Sequence, residues 1–430
     1  MEPNKSRGLL LHETRLNIRY LDKTKDCLCR VTFDLTRDHY VLIDCLESLH
    51  ELVTFPFNAV EPFYVLFPGD KKQIRCHISG TFRQQIIGGD PSLYLTFWPS
   101  GEAVVGGDSK LSKADAALVN FNQYRVGAGK TVLLNDGTWA SELTPAEGTS
   151  RFPDDIQNKS YFFSHNLLLQ KCDAQPFSWT EAQKCLATLS TFLSFCAGRS
   201  VAPALVRGYD QSGNVVIQDL GTPRVDPFGT CVSWLDEDHG GAMTEVFPGF
   251  AHLMEDEEWR EAIRTAVYWY VRADTNSIGP DGAIVLIQTA LEKLAWHILV
   301  RVRQSMSKDD FDHLPAAGQL RLVLDLCSVP LHLPPILKEL TAVAKKQKGQ
   351  RDWRDGPEAF ADTRNQIVHP VKHKRVKGSR AFYEALQLGK WYLELIILHS
   401  ARFDGSYACR LNIPIQRGNV EPVPWAKAKP

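Results

Sequence analysis

Residues 361–370 read ADTRNQIVHP and bring together three side-chain types that phosphodiester chemistry uses. His369 titrates near neutrality and can move a proton. Arg364 keeps its charge and can grip phosphate oxygens through two parallel N–H groups, which would stabilise charge building at phosphorus. Asn365 can orient either of them. Asn365 and His369 are four apart and share one face of a helix, whereas Arg364 lies about 140° round an ideal helix from His369. Distortion of the last turn before Pro370 can bring the long Arg364 side chain back beside the imidazole. As bare text the spacing is a weak signal, because Arg7 and His12 (RGLLLH) repeat it near the N-terminus.

Charge around the motif makes the stronger case. Pro370 is followed by VKHKRVK, with Lys372, Lys374, Arg375 and Lys377, and Lys345, Lys346, Lys348, Arg351 and Arg354 stand upstream. The window 338–380 holds 12 Lys and Arg against five acids, a net +7 in a chain of net charge −1, so the remainder carries −8. A basic run alone is as often a solvated face as a binding surface. Flanking an Arg/Asn/His cluster, it reads as a footprint for a phosphate backbone, with Lys372, Lys374, Arg375 and Lys377 as the binding cations. The segment 225–259 is the counterpart, with nine acids and neither Lys nor Arg. Its last four acids suit a helix N-terminus. The rest reads as an acidic connector, placed to cover the basic face in a resting state.

The elements that must position these residues follow from periodicity. The first third alternates short β-branched and aromatic runs (28–35, 40–45, 63–67, 73–82 and 92–98) with turn clusters, the pattern of a sandwich or barrel. One helix interrupts it. Ser178 and Glu181 have capping-box spacing, Leu186, Leu189 and Leu193 recur on one face, and Gly198 follows. Strands at 202–209 and 214–220 are expected to flank the turn DQSG. Beyond 255 the helical period dominates, with helices near 259–271, 283–302, 319–326 and 336–344. Another opens at Pro357 and stops near Pro370, and a last one runs over 380–402. The fold class is therefore α+β. A β-rich N-terminal region (1–224) precedes the acidic connector (225–254), an all-α helical bundle (255–405) and a loosely attached tail (406–430).

Global bounds remove other classes. A chain of 430 residues, 44% apolar and 23% charged, has room for two or three globular domains and is neither uniformly basic nor an acidic disordered polymer. Residues 1–12 show no secretory signal. The apolar stretch 283–302 is interrupted by Gln288, Glu292, Lys293, His297 and Arg301, so it reads as a buried core helix, with no membrane partner expected. Of ten cysteines only Cys27 and Cys29 are close, and no C-x-x-C pair exists. Neither a zinc site nor a disulfide framework is expected, no metal or cofactor is called for, and a reducing cytoplasm is the simplest setting. GAGKT at 127–131 lacks the upstream glycine of a P-loop, has Tyr124 in its place, and reads as a hairpin turn. Asn158-Lys159-Ser160 is an empty glycosylation match without secretion. His297 and His332 read as packed residues, and Glu292 as a site-supporting group or the partner of a nearby cation.

With Arg364, Asn365 and His369 followed by the basic run, and an apolar earlier helix carrying Glu292 (ALEKLAW), residues 255–405 resemble a HEPN domain (higher eukaryotes and prokaryotes nucleotide-binding). The β-rich region ahead of it makes the layout similar to ApeA-like anti-phage effectors. The resemblance implies a metal-independent endoribonuclease acting in anti-phage defence by abortive infection. The ribose 2'-OH would attack the adjacent phosphate, leaving 2',3'-cyclic phosphate and 5'-OH ends, so the substrate would be RNA. His369 would handle protons, Arg364 would stabilise the phosphorane and Asn365 would orient the pair. It also implies a homodimer through the bundle, with a composite site across the interface. A phage-derived or other ligand would act as trigger for the N-terminal region. The competing reading is a non-catalytic HEPN module that binds RNA or nucleotides beside a ligand-sensing β domain, and a third is a purely structural or partner-binding protein.

Overall fold

The computed structural model describes residues 8–34, 40–53, 61–87, 90–107, 109–122, 124–126, 130–146, 161–229, 231–274, 278–346, 353–369, 376, 378–412 and 416–426. The chain is α+β and divides into two compact units. The first comprises 1–121, 138–189 and 201–229, and the second comprises 122–137, 190–200 and 230–430.

In the first unit β1 (Gly8–Tyr20), β2 (Lys23–Asp34), β3 (Tyr40–Cys45), β4 (Phe63–Leu66), β5 (Ile74–Ile87) and β6 (Asp90–Pro99) close into a barrel in the order β1-β2-β3-β6-β5-β4. Alternation dictates it. Leu16, Ile18 and Tyr20 of β1, Val31 and Phe33 of β2, Val41 and Ile43 of β3, and Leu93, Leu95 and Phe97 of β6 all turn into one core. Closure also leaves no exposed strand edge. Leu49, Leu52 and Val53 join the same core from the segment after β3. A second, antiparallel sheet holds β7 (Val104–Gly106), β8 (Lys113–Val119), β10 (Trp139–Pro145), β11 (Phe163–Lys171), β12 (Pro203–Tyr209) and β13 (Val215–Asp219) in the order β7-β13-β12-β8-β11-β10. Because β8 pairs with β11 and β12, the GAGKT segment after it does not close a hairpin on β8. Gly127, Ala128 and Gly129 themselves lie outside the described residues.

Helix α1 (Trp179–Ala197) starts as its capping box requires. Ser178 N and Oγ each donate to Glu181 Oε2 at 2.8 Å, Glu181 N donates to Ser178 Oγ at 3.3 Å, and Gly198 takes the positive φ of +67° that ends it.

The second unit is helical apart from β9 (Val132–Asn135) and a two-stranded ribbon near the C-terminus. Its helices are α2 (Gly241–Glu255), α3 (Glu257–Arg272), α4 (Gly279–Trp296), α5 (Lys308–His313), α6 (Ala316–Leu326), α7 (Lys338–Lys346), α8 (Gly356–Val368) and α9 (Ser379–Ser400). α4 is the hub, packing on α3, α6, α8 and α9. Gly279–Val302, long and apolar enough by composition to cross a membrane, has 61% of its apolar window buried inside the protein and serves as a core helix.

Two boundaries differ from the sequence reading. Much of the expected connector is α2, whose Met243, Val246, Phe247 and Phe250 are buried. Three of the neighbouring acids are locally engaged. Glu237 and Asp238 pair with Arg417 at 3.4 and 3.0 Å, Asp238 also meets Arg125 at 3.2 Å, and Glu258 pairs with Arg301. Nor are the described residues 406–412 and 416–426 a loose tail. β14 (Ser406–Tyr407) pairs with β15 (Glu421–Pro422), and Arg410, 1% exposed, reaches the core. It donates to Glu394 Oε2 and Gln387 Oε1 at 2.9 Å and to the Tyr270 hydroxyl at 3.0 Å. A buried guanidinium needs that full set of partners, so the segment is locked to α3 and α9.

Candidate functional site

Helix α8 positions the Arg/Asn/His motif. Asp355 caps it, accepting from Glu358 N at 3.0 Å, and Pro357 occupies the first turn. Arg321 grips the capping carboxylate with Nε at 2.6 Å and Nη2 at 3.1 Å. The inward face carries Ala359, Phe360, Thr363 and Gln366, and α8 lies against α4, α6 and α9. Gly389 of α9 makes that approach possible. A Cβ there would sit 2.4 Å from the Phe360 ring and 3.0 Å from Ile287 of α4.

The motif residues lie at the solvent end of this helix. Arg364 is half-buried, and its Nη1 donates to Asn365 Oδ1 at 3.2 Å. Its Nε is buried without a hydrogen-bond partner among the described residues. Asn365 and His369 are exposed. His369 is not on the helix. It is the C-cap, with extended backbone (φ −114°, ψ 141°), as the residue before a proline tends to be, and its N–H donates to Asn365 O at 2.9 Å. The expectation that Asn365 and His369 share a helical face therefore fails at the last residue, because Pro370 turns the backbone out. Asn365 touches both neighbours, Arg364 through its side chain and His369 through its carbonyl. Among the described residues no side-chain hydrogen bond joins Arg364 to His369 within one copy.

Lys372, Lys374, Arg375 and Lys377 lie outside the described residues. Val376 between them is described and is buried. Gln366 Nε2 donates to its carbonyl at 2.8 Å, and its N–H donates to Gln366 Oε1 at 3.0 Å. An inward glutamine two residues beyond Arg364 thus ties Val376 to the motif's own helix, a role that a lone polar residue on an apolar face only hints at. Of the other cations in the basic window, Lys338, Lys345, Arg354 and Arg380 are exposed. Three acids of the same window are otherwise occupied. Asp355 holds Arg321, Glu358 accepts from Arg354 N at 2.9 Å, and Asp362 accepts from Trp353 Nε1 at 3.0 Å. Glu292 is half-buried and accepts from Gln288 Nε2 at 2.9 Å, not from a cation. His297 is packed, 3% exposed and edge-on to Trp259 at 4.3 Å, and burial lowers its pKa. His332 is exposed, contrary to expectation.

One cluster went unseen in the sequence. The sulfurs of Cys27, Cys29 and Cys45 lie within 4.8 Å of one another inside the barrel. Hydrogen bonding to Cys27 raises the Cys29 and Cys45 thiols, and the same contacts lower Cys27.

Residues 256–421 match the family described as the YopA C-terminal domain, and residues 106–231 match the YopA central domain. A relative from Bacillus subtilis (strain 168), "SPbeta prophage-derived uncharacterized protein YopA", is 30% identical over 274 residues. The alignment covers 63% of this chain and 60% of the relative, so the chain spans less than two thirds of that protein. No solved structure matches. The chain is thus similar, through both its middle and its helical C-terminal part, to a prophage-derived protein.

Proposed function

We propose that the chain is a HEPN-type endoribonuclease that cleaves RNA by 2'-OH attack. The observation that carries this reading is the state of Arg364. Its guanidinium is half-buried, steadied by Asn365, and keeps a buried Nε–H without a partner among the described residues, five positions before an exposed His369 in a basic stretch of sequence. A phosphate oxygen would satisfy that donor, and a bidentate grip would stabilise the phosphorane. Cleavage moves two protons, one from the attacking 2'-OH and one to the departing 5'-oxygen. One imidazole cannot lie beside both oxygens in the same step, and among the described residues no side-chain hydrogen bond joins His369 to Arg364 within one copy. Both points favour a homodimer whose two motifs complete one site. His369 of one copy accepts the 2'-proton and the other copy's imidazole protonates the 5'-oxygen. The chemistry needs no metal, because the arginines supply the positive charge.

The prophage origin of the relative supports a setting in the conflict between phage and bacterium, where an RNase held in the cytoplasm would arrest an infected cell. The barrel unit would then receive the phage-derived or other trigger. The deciding experiment compares wild type with Arg364→Ala and His369→Ala on a mixed RNA pool in EDTA. Wild type should yield 2',3'-cyclic phosphate ends, and both variants should lose cleavage by roughly 100-fold or more. Abolition by EDTA, or normal cutting by His369→Ala, overturns the mechanism. RNA retention without cleavage under any trigger favours the binding-module reading.

A further inference from the structure

Strands β2 and β3 pair so that Cys29 stands directly opposite Cys45, and Cys27 precedes Cys29 by two residues along β2 on the same inward face. The three residues are 0%, 0% and 5% exposed. Neighbouring inward positions are apolar, Val31 against Ile43 and Phe33 against Val41, so the thiols gather at one end of the barrel. We propose that Cys27, Cys29 and Cys45 hold one thiophilic d10 metal ion, Cu(I) or Zn(II), as a three-sulfur site.

The distances suit an ion. Two sulfurs each about 2.3 Å from a metal, at a tetrahedral or trigonal angle, lie about 3.8–4.0 Å apart. Cys29 and Cys45 Sγ are 3.7 Å apart, and all three sulfurs fall within 4.8 Å. Thiolate donors select soft ions over calcium or magnesium. No histidine or carboxylate joins the cluster among the described residues, and three sulfurs alone suit trigonal Cu(I). Zn(II) would call for a fourth donor, for which the Glu47 carbonyl oxygen, 3.7 Å from Cys27 Sγ, is placed. Binding would displace the thiol protons to solvent and cross-link β2 to β3, so the barrel's stability would follow metal supply. Sequence alone misses the site because its third ligand is supplied by strand register.

The test uses the full-length chain, reduced and kept free of oxygen, titrated with Cu(I) and separately with Zn(II) against a chromophoric chelator. Uptake should saturate at one ion per chain in at least one arm, raise the unfolding temperature and, with copper, produce thiolate-to-metal ultraviolet absorption. Cys45→Val, which places a β-branched residue on an inward strand position, should weaken binding at least ~10-fold. Cys76→Val, buried in the same barrel but outside the cluster, should bind as wild type. Matching circular dichroism verifies that both variants fold. The proposal is overturned if neither metal binds, or if Cys45→Val titrates like wild type. Isolation of the chain with a Cys29–Cys45 disulfide, lighter by two hydrogens until reduced, would also overturn it.

Discussion

What distinguishes Arg364 is the shape of its cation more than its charge. The guanidinium has donors on two sides, one committed to Asn365 and one buried without a partner among the described residues. A lysine would keep the charge but replace a rigid fork by a single rotating ammonium. Arg364→Lys should therefore leave RNA affinity within about threefold, since backbone attraction is largely a matter of charge. It should lower the cleavage rate by roughly 10- to 100-fold, since the phosphorane loses its bidentate donor. Filter binding beside single-turnover cleavage separates the two. Equal loss in both would mean that Arg364 only binds, and no loss in either would remove it from the site.

Among the elements, α8 was the easiest to read. Pro357 opens it, the residue before Pro370 ends it, and both act within a few residues of themselves. The capping box of α1 is local in the same sense. Features set by distant partners were not legible. Residues 406–412 look like an extended tail until Arg410 meets Tyr270, 140 residues away. The acidic segment looks like a linker until α2 buries Phe247 and Phe250. Cys45 joins Cys27 and Cys29 only through pairing of β2 with β3. The same logic makes Gly389 the weak point of the site's scaffold. Its missing Cβ leaves room for the fully buried Phe360 ring, which has nowhere to retreat. Gly389→Ala should cost about 1–3 kcal/mol of stability by overpacking. It should also push α8 outward, lowering cleavage even where the protein is folded. Urea unfolding followed by activity on the folded fraction checks this, and an unchanged midpoint would mean that the two helices can part without penalty.

At the scale of the whole molecule, a net charge of −1 conceals how charge is distributed. Three of the acids near α2, Glu237, Asp238 and Glu258, pair with Arg417, Arg125 and Arg301, none of which belongs to the basic window 338–380. Pairing of these acids with cations outside the window argues against the acidic segment acting as its shield. Two variants with opposite expectations follow. Replacing Lys372, Lys374, Arg375 and Lys377 together by glutamine should reduce the slope of log K for single-stranded RNA against log salt by about 2 to 3, since each phosphate contact contributes about 0.7. Replacing Glu237 and Asp238 by glutamine and asparagine should leave both slope and affinity unchanged. Fluorescence anisotropy with a labelled RNA between low and physiological salt measures both. A slope unmoved by losing four cations would take the footprint away from that segment. Tighter binding on losing the two acids would restore the shield.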